Sequence, residues 1–122
     1  AQEARDVVGK CHKDGEAAQR LLEWEGFTFS NVVDIFDGGP LMSVPRDQIR
    51  TLRESKRLKI APSTQLAGAK RALIAVANIQ NYRCVSAHAS VADGVAHVDP
   101  AALKALKLDA GADILVWTDD AH

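Results

Sequence analysis

Cysteine, methionine, tyrosine and net charge are all scarce in this 122-residue chain: two Cys, one Met, one Tyr and a formal charge of -1. Cys11 and Cys84 stand far apart and form no C-x-x-C pair. Neither a zinc site nor a disulfide framework is expected, and the two thiols read as reduced groups of a cytoplasmic protein. His12, His88, His97 and His122 show no metal-ligand spacing, so no metal site is expected. The near-neutral balance excludes a bulk polyelectrolyte that binds nucleic acid through net charge. No apolar run approaches the roughly 20 residues of a membrane-spanning helix. No basic-then-apolar leader opens the sequence, so neither secretion nor a membrane partner is expected. Glycine-rich phosphate loops, G-x-x-x-x-G-K, G-x-S-x-G and H-E-x-x-H are missing, which argues against a self-contained nucleotide-dependent enzyme. The first residue is Ala1 rather than Met, and the chain reads as trimmed, processed or partial.

What is present is the ordinary material of a globular protein, with 47% apolar and 25% charged residues. That length suits one domain or two small units and can bury roughly two-thirds of the unfolded surface. Ala17, Leu21 and Trp24 recur at i, i+4 and i+7, widened by Ala18 and Leu22, which predicts an amphipathic helix over residues 14–25. Asp14 is the expected N-cap and Gly26 the stop. Residues 31–36 carry the β-branched pattern of a strand, ended by Asp37-Gly38-Gly39-Pro40. A second helix is expected over residues 45–55, with Pro45 in its first turn and a thin apolar side of Val44, Ile49 and Leu52. Arg46, Arg50, Arg53 and Arg57 fall at i, i+4, i+7 and i+11, one stripe of a helix that lasts long enough.

Residues 61–69 turn to Pro, Ser, Thr, Gly and Ala and read as a loop or linker. Ten of the 15 lysines and arginines precede Pro62, and the first half is basic locally at Arg46 to Lys59, balanced by acidic residues elsewhere. Short apolar runs at 72–77, 83–87, 95–98 and 114–118 predict the strands of a small sheet or barrel. Asp99 caps and Pro100 opens a short helix reaching Lys107. The stretch from Val98 to Ile114 resembles swapped-hairpin DNA-binding modules and related small barrels with little specificity, and structural packing is its default reading.

Three groups of side chains could carry chemistry. His12 stands at a helix entrance in Gly9-Lys10-Cys11-His12-Lys13, where an imidazole can exchange a proton near neutral pH; a surface histidine beside a cap has the same pattern. Asp34 and Asp37 flank Ile35-Phe36 at a strand end, suited either to holding a cationic substrate group or to turn chemistry. The arginine stripe could hold phosphates of a cofactor or of nucleic acid, or form a solvated face paired with Asp47 and Glu54. No aromatics interleave it, which weakens the nucleic-acid version.

Ala18-Gln19-Arg20-Leu21-Leu22-Glu23-Trp24-Glu25-Gly26-Phe27 resembles the A-x-x-L-Y-E-x-x-G-F helix of GNAT-type N-acyltransferases. Val8-Gly9-Lys10-Cys11-His12, this helix, Val33-Asp34-Ile35-Phe36-Asp37-Gly38-Gly39-Pro40 and Ile49-Arg50-Thr51-Leu52-Arg53-Glu54-Ser55 follow in order. So do Val76-Ala77-Asn78 with Tyr82-Arg83, and Ala102-Leu103, Leu106 and Gly111-Ala112-Asp113-Ile114. Together they are similar to the C-terminal third of the arginine N-succinyltransferase family. The resemblance implies transfer of a succinyl group from succinyl-CoA to the α-amino group of arginine, with ornithine or another amine as alternative acceptor. The tyrosine that often protonates the leaving thiolate in GNAT enzymes is Leu22 here. The resemblance implies that His12, matching the family's V-H segment, takes that part.

The fold expected is α/β. Residues 1–60 form the C-terminal helix-strand arm of a GNAT-type acyltransferase fold with a basic helix, and residues 61–122 a small β-rich, barrel-like unit with one capped helix. The function expected is that of part of an arginine N-succinyltransferase in arginine degradation. Its catalytic residue is His12, its substrate-binding residues Asp34 and Asp37, and its cofactor-binding residues Arg46, Arg50 and Arg53. Succinyl-CoA is a co-substrate, with no resident cofactor. The expected partners are an N-terminal acyltransferase portion or subunit, within an oligomer of the cytoplasm, without nucleic acid. The alternative is a non-catalytic assembly or nucleic-acid-binding module that uses the Arg46, Arg50, Arg53 and Arg57 stripe.

Overall fold

A computed structural model describes residues 2–118, so Ala1 and His122 lie outside the described residues. The chain divides into two compact units, Ala1–Arg53 and Glu54–His122.

The first unit is built from short elements. A helical turn α1 (Gln2–Arg5) precedes a 3-10 turn (Lys13–Gly15) and helix α2 (Glu16–Trp24). Asp14 does not cap α2: the N-cap is Gly15, without a side-chain cap, and His12 caps the preceding 3-10 turn, its Nδ1 accepting from the backbone N–H of Asp14, within that turn, at 3.3 Å. Gly26 ends α2 at φ +99°, and a Cβ there would meet the Gln48 carbonyl at 3.1 Å, so glycine is required twice over.

Strand β1 (Thr28–Val33) then pairs antiparallel with β2 (Pro40–Ser43). Asn31, at φ +59°, bulges β1 and shifts its register between Phe29 and Val33. The expected strand over 31–36 therefore lies early, and Asp34 is the reason. Its Oδ1 accepts from the N–H groups of Phe36 at 2.7 Å and Asp37 at 3.3 Å, which pulls those amides out of any ladder. Ile35 and Phe36 are left 88% and 92% exposed.

The expected helix over 45–55 is broken in two. A 3-10 turn (Arg46–Gln48) gives way to extended backbone at Ile49, and α3 (Arg50–Glu54) starts afresh. Glu25 restarts it: its Oε2 accepts from the Thr51 N–H at 3.0 Å and Oγ1 at 2.7 Å, and its carbonyl accepts from the Arg50 N–H at 3.0 Å. A carboxylate at a helix N-terminus satisfies donors that have no partner within the helix.

In the second unit five strands close a barrel in the order β3-β6-β5-β4-β7. They are β3 (Lys56–Pro62), β4 (Lys70–Val76), β5 (Arg83–Ala92), β6 (Val95–Val98) and β7 (Asp113–Thr118). Strand β3 pairs antiparallel with β7 over its first half and parallel with β6 over its second; the other pairs are antiparallel. Helix α4 (Pro100–Leu106) connects β6 to β7, capped by Asp99, whose Oδ1 accepts from the Ala101 N–H at 2.7 Å. Lys107 ends it in the left-handed conformation at φ +54°.

Every buried apolar residue described belongs to this barrel and its helix. Ile60, Ile74, Val98 and Leu106 are fully enclosed, surrounded by Ala72, Ala89, Ala96, Ala102, Leu103, Ile114 and Val116. Alternation explains the list, because Ile60, Ala72, Ile74, Ile114 and Val116 occupy the inward-facing positions of their strands. In the first unit α2 buries nothing, and Leu21 and Trp24 are 66% and 55% exposed.

Stability is accordingly concentrated. We expect Ile60→Ala to cost about 2–5 kcal/mol in urea unfolding of the full chain. Ile35→Ala should stay within about 0.5 kcal/mol. Equal losses would mean that the barrel is not the stabilising core.

Candidate functional site

His12 is the sequence-predicted catalytic residue, and its surroundings define which of its nitrogens is available. The side chain is 81% exposed at the entrance to the 3-10 turn. Its Nδ1 lies 3.3 Å from the Asp14 backbone nitrogen and 3.4 Å from Asp14 Oδ2. In the neutral imidazole Nδ1 accepts from the amide, so the ring proton sits on Nε2; in the imidazolium Nδ1–H faces the carboxylate. Residue 14 engages Nδ1 in both states, which leaves Nε2 as the ring nitrogen outside this contact.

The segment carrying His12 is anchored to the turn that carries the two aspartates. The Gly9 N–H donates to the Gly38 carbonyl at 2.8 Å, with Gly9 at φ +75° and Gly38 at φ +71°. Beside it, the Gly9-Lys10-Cys11 segment and the Glu16, Arg20 and Glu23 face of α2 line a depression of about 420 Å³. Within that face Arg20 Nη1 lies 3.7 Å from Glu16 Oε2, and Gln19 Nε2 donates to Glu23 Oε1 at 2.8 Å.

Asp34 and Asp37 both build the turn. Asp34 Oδ1 holds the Phe36 and Asp37 amides, and Asp37 Oδ1 accepts from the Gly39 N–H at 2.7 Å. A Cβ at Gly39 would approach that same oxygen at 3.0 Å, so the run Asp37-Gly38-Gly39 is fixed by local sterics. The turn chemistry weighed for these residues in the sequence is present.

The arginine stripe does not survive as a helical face. Arg46 sits in the 3-10 turn, Arg50 and Arg53 lie on α3, and Arg57 is on β3 in the other unit. The extended conformation of Ile49 resets the helical phase between the first two, and Glu25 cannot be seen in a local window because it stands 26 residues away from Thr51. Arg50 stacks instead on Trp24, its Cζ 4.4 Å from the ring centroid. The nucleic-acid alternative, which rested on that stripe, loses its helical basis.

Two features were missed in the sequence. Glu25 organises α3, and no local signal marks it. Lys56 and Lys70 line a cleft at one end of the barrel together with Leu58 and Val116; the alternation of Lys56, Leu58 and Ile60 is the available signal, hidden because the segment lies between the expected helix over 45–55 and the expected loop over 61–69. At the start of β5, the Tyr82 phenol is held above its ordinary value of 10.0 by the Cys84 thiol beside it, then by burial and a hydrogen bond to the same thiol. Among the described residues no group of His, Cys, Asp or Glu is placed to hold a metal ion.

A closed five-stranded barrel with a capped helix, preceded by a helix-hairpin unit with a histidine at its helix entrance, is an α/β architecture with a known counterpart. Residues 1–51 match the family model described as arginine N-succinyltransferase beta subunit, and residues 56–118 match its C-terminal domain. The chain belongs to the arginine N-succinyltransferase beta subunit family. It is 39% identical over 114 residues to the arginine N-succinyltransferase subunit beta of Pseudomonas aeruginosa, covering 93% of this chain and 34% of that protein. It is 38% identical over 112 residues to an arginine N-succinyltransferase of Escherichia coli, covering 91% and 33%. The structure of arginine/ornithine succinyltransferase subunit AI from Pseudomonas aeruginosa superposes with a TM-score of 0.79 at 24% identity, over 93% of this chain and 34% of that one. The chain thus spans about a third of the length of the curated relatives it matches.

The turn can be tested directly. Asp34→Ala removes the acceptor and should speed hydrogen exchange at the Phe36 and Asp37 amides, at a cost of about 1 kcal/mol. Asp34→Asn retains an acceptor oxygen and should change neither by more than about 0.5 kcal/mol. If Asn and Ala behave alike in exchange and unfolding, the hydrogen bonds are not what matters.

Proposed function

We propose that these residues supply the C-terminal portion of an arginine N-succinyltransferase, with His12 as the general acid. The single observation that carries the reading is the tether on His12: Nδ1 is engaged by Asp14 on an exposed side chain at the helix entrance, in a family whose members carry that name. In the proposed reaction the α-amino group of arginine, as the free amine, attacks the thioester carbonyl of succinyl-CoA. The new C–N bond forms, the C–S bond breaks, and the thiolate takes the Nε2 proton of the His12 imidazolium, whose Nδ1–H stays toward Asp14. The nitrogen of the new amide releases one proton, which restores the imidazolium. General acid catalysis of this kind contributes about 10²–10⁴-fold.

Asp34 and Asp37 are proposed to hold the cationic end of the acceptor through Oδ2, since Oδ1 of each is engaged in the turn. Arg46, Arg50 and Arg53 are proposed to meet the phosphates of CoA, Arg50 from its position over Trp24. The GNAT-type arm belongs to the same proposal. Its support is the bulged β1–β2 hairpin after α2 and the exposed Leu21, Trp24, Phe29 and Val32, surface that a larger fold would cover. The proposed partner is the preceding acyltransferase portion, because the relatives are about three times as long and residues 56–118 match their C-terminal domain. The proposed compartment is the cytoplasm, where CoA thioesters are available.

The experiment is thiol release from succinyl-CoA in the presence of arginine or ornithine, with these residues joined to the preceding portion of a relative. His12→Gln should lower kcat by roughly 10²-fold or more with little change in KM. Asp34→Asn should raise KM for the acceptor and leave the fold intact. An unchanged kcat in the His12 variant removes it from the mechanism.

A further inference from the structure

The barrel carries a second feature that the acyl-transfer reading does not use. At the end of the barrel where β3 and β4 begin and β5 and β7 finish, a cleft of about 320 Å³ opens among Lys56, Leu58, Lys70, Val91, Val116 and Thr118. Strand alternation shows why these side chains converge. Lys56 shares a face with Leu58 and the fully buried Ile60; Lys70 shares one with Ala72 and Ile74, which are 2% and 0% exposed. Thr118 follows Ile114 and Val116 on the inward face of β7, and Val91 follows Ala89 on that of β5. Two lysines therefore occupy positions that barrels of this size ordinarily fill with apolar side chains.

An inward-facing lysine at a barrel mouth keeps its ammonium group at the water boundary while its methylene stem lies along apolar wall. Here the wall below is Leu58, Ala89 and Val116, Ser90 adds to the rim, and Glu54 is the one carboxylate in the lining. Glu54, Lys70 and Thr118 each have a further interaction of their own, so an incoming anion joins or exchanges with an existing polar contact. Cationic rim over apolar floor is the pattern that recognises an anion with a hydrocarbon tail, in which the charge fixes orientation and the tail supplies buried area.

We propose that this barrel mouth is a binding site for a small aliphatic carboxylate, with the carboxylate at Lys56 and Lys70 and the chain against Leu58 and Val116. The proposal stands on the barrel alone and is independent of His12. A divalent cation would meet two ammonium groups, and inorganic phosphate would gain nothing from the apolar floor. Both are disfavoured by the same lining.

The test titrates the 122-residue chain with hexanoate, acetate and inorganic phosphate, read by amide chemical shifts and by calorimetry. Hexanoate should give saturable shifts at the amides of Leu58, Val91 and Val116, with acetate and phosphate at least tenfold weaker. Lys56→Gln and Lys70→Gln should each weaken hexanoate at least threefold at unchanged Tm, and Lys56→Arg should restore most of that loss. Where a glutamine variant lowers Tm, the wild-type chain decides the point: a tenfold rise in NaCl should weaken hexanoate severalfold. The proposal is overturned by the absence of saturable shifts at the mouth. It is equally overturned by acetate or phosphate binding as tightly as hexanoate, by glutamine variants of unchanged affinity, or by indifference to salt.

Discussion

Closure of the barrel depends on what β3 does on its two edges. Over Lys56–Lys59 it pairs with β7, and over Lys59–Pro62 with β6 running in the same direction. Where the two pairings meet, the Ile60 N–H donates to the Ala112 carbonyl at 3.0 Å and the Ile60 carbonyl accepts from the Gly111 N–H at 2.7 Å. The side chain of that residue is fully enclosed in the core. One residue thus joins the backbone bonding of the segment before β7 to the interior, and the strand order follows from it. A parallel β3–β6 pair cannot be made by a hairpin, so the β4–β5 hairpin is interposed and α4 is required to bring β7 back to the free edge.

That arrangement explains what the sequence discloses and what it hides. The run Val95-Ala96-His97-Val98, the Asp99 cap and Pro100 are local signals, and each is realised at the expected position, with the helix burying Ala102, Leu103 and Leu106. Strand β3 is different. Its lysines and arginine break the apolar pattern, it follows directly on a helix, and its partners lie far downstream, so Lys56-Arg57-Leu58-Lys59 falls between the expected helix over 45–55 and the expected loop over 61–69 without a strand signal. The same blindness applies to Glu25, whose carboxylate starts a helix 26 residues later. Properties that arise between distant segments leave little trace in a window of ten residues, whereas caps and turns leave a strong one.

The candidate site follows the same division. His12 was legible because a helix entrance and a family-like segment coincide there, yet the sequence assigned the capping role to Asp14. The structure differs: the imidazole caps the 3-10 turn before α2, and Asp14 lies against it. Asp34 and Asp37 were legible as turn residues and as carboxylates. Their geometry engages Oδ1 of each in the turn, so the turn reading and the binding reading concern different oxygens of one side chain.

The staggered edges of β3 also bear on how the chain is made. A ribosome delivers residues in order, and Lys56 meets its partner Val116 only after sixty further positions have emerged. Until then the β4–β5 hairpin can form, and β6 can find β3, but a row of amides and carbonyls on β3 waits without its ladder. Leu58 and Ile60 are exposed to other chains for the same interval. The basic residues of this strand, Lys56, Arg57 and Lys59, which disguise it in the sequence, are the residues that discourage such encounters while synthesis finishes.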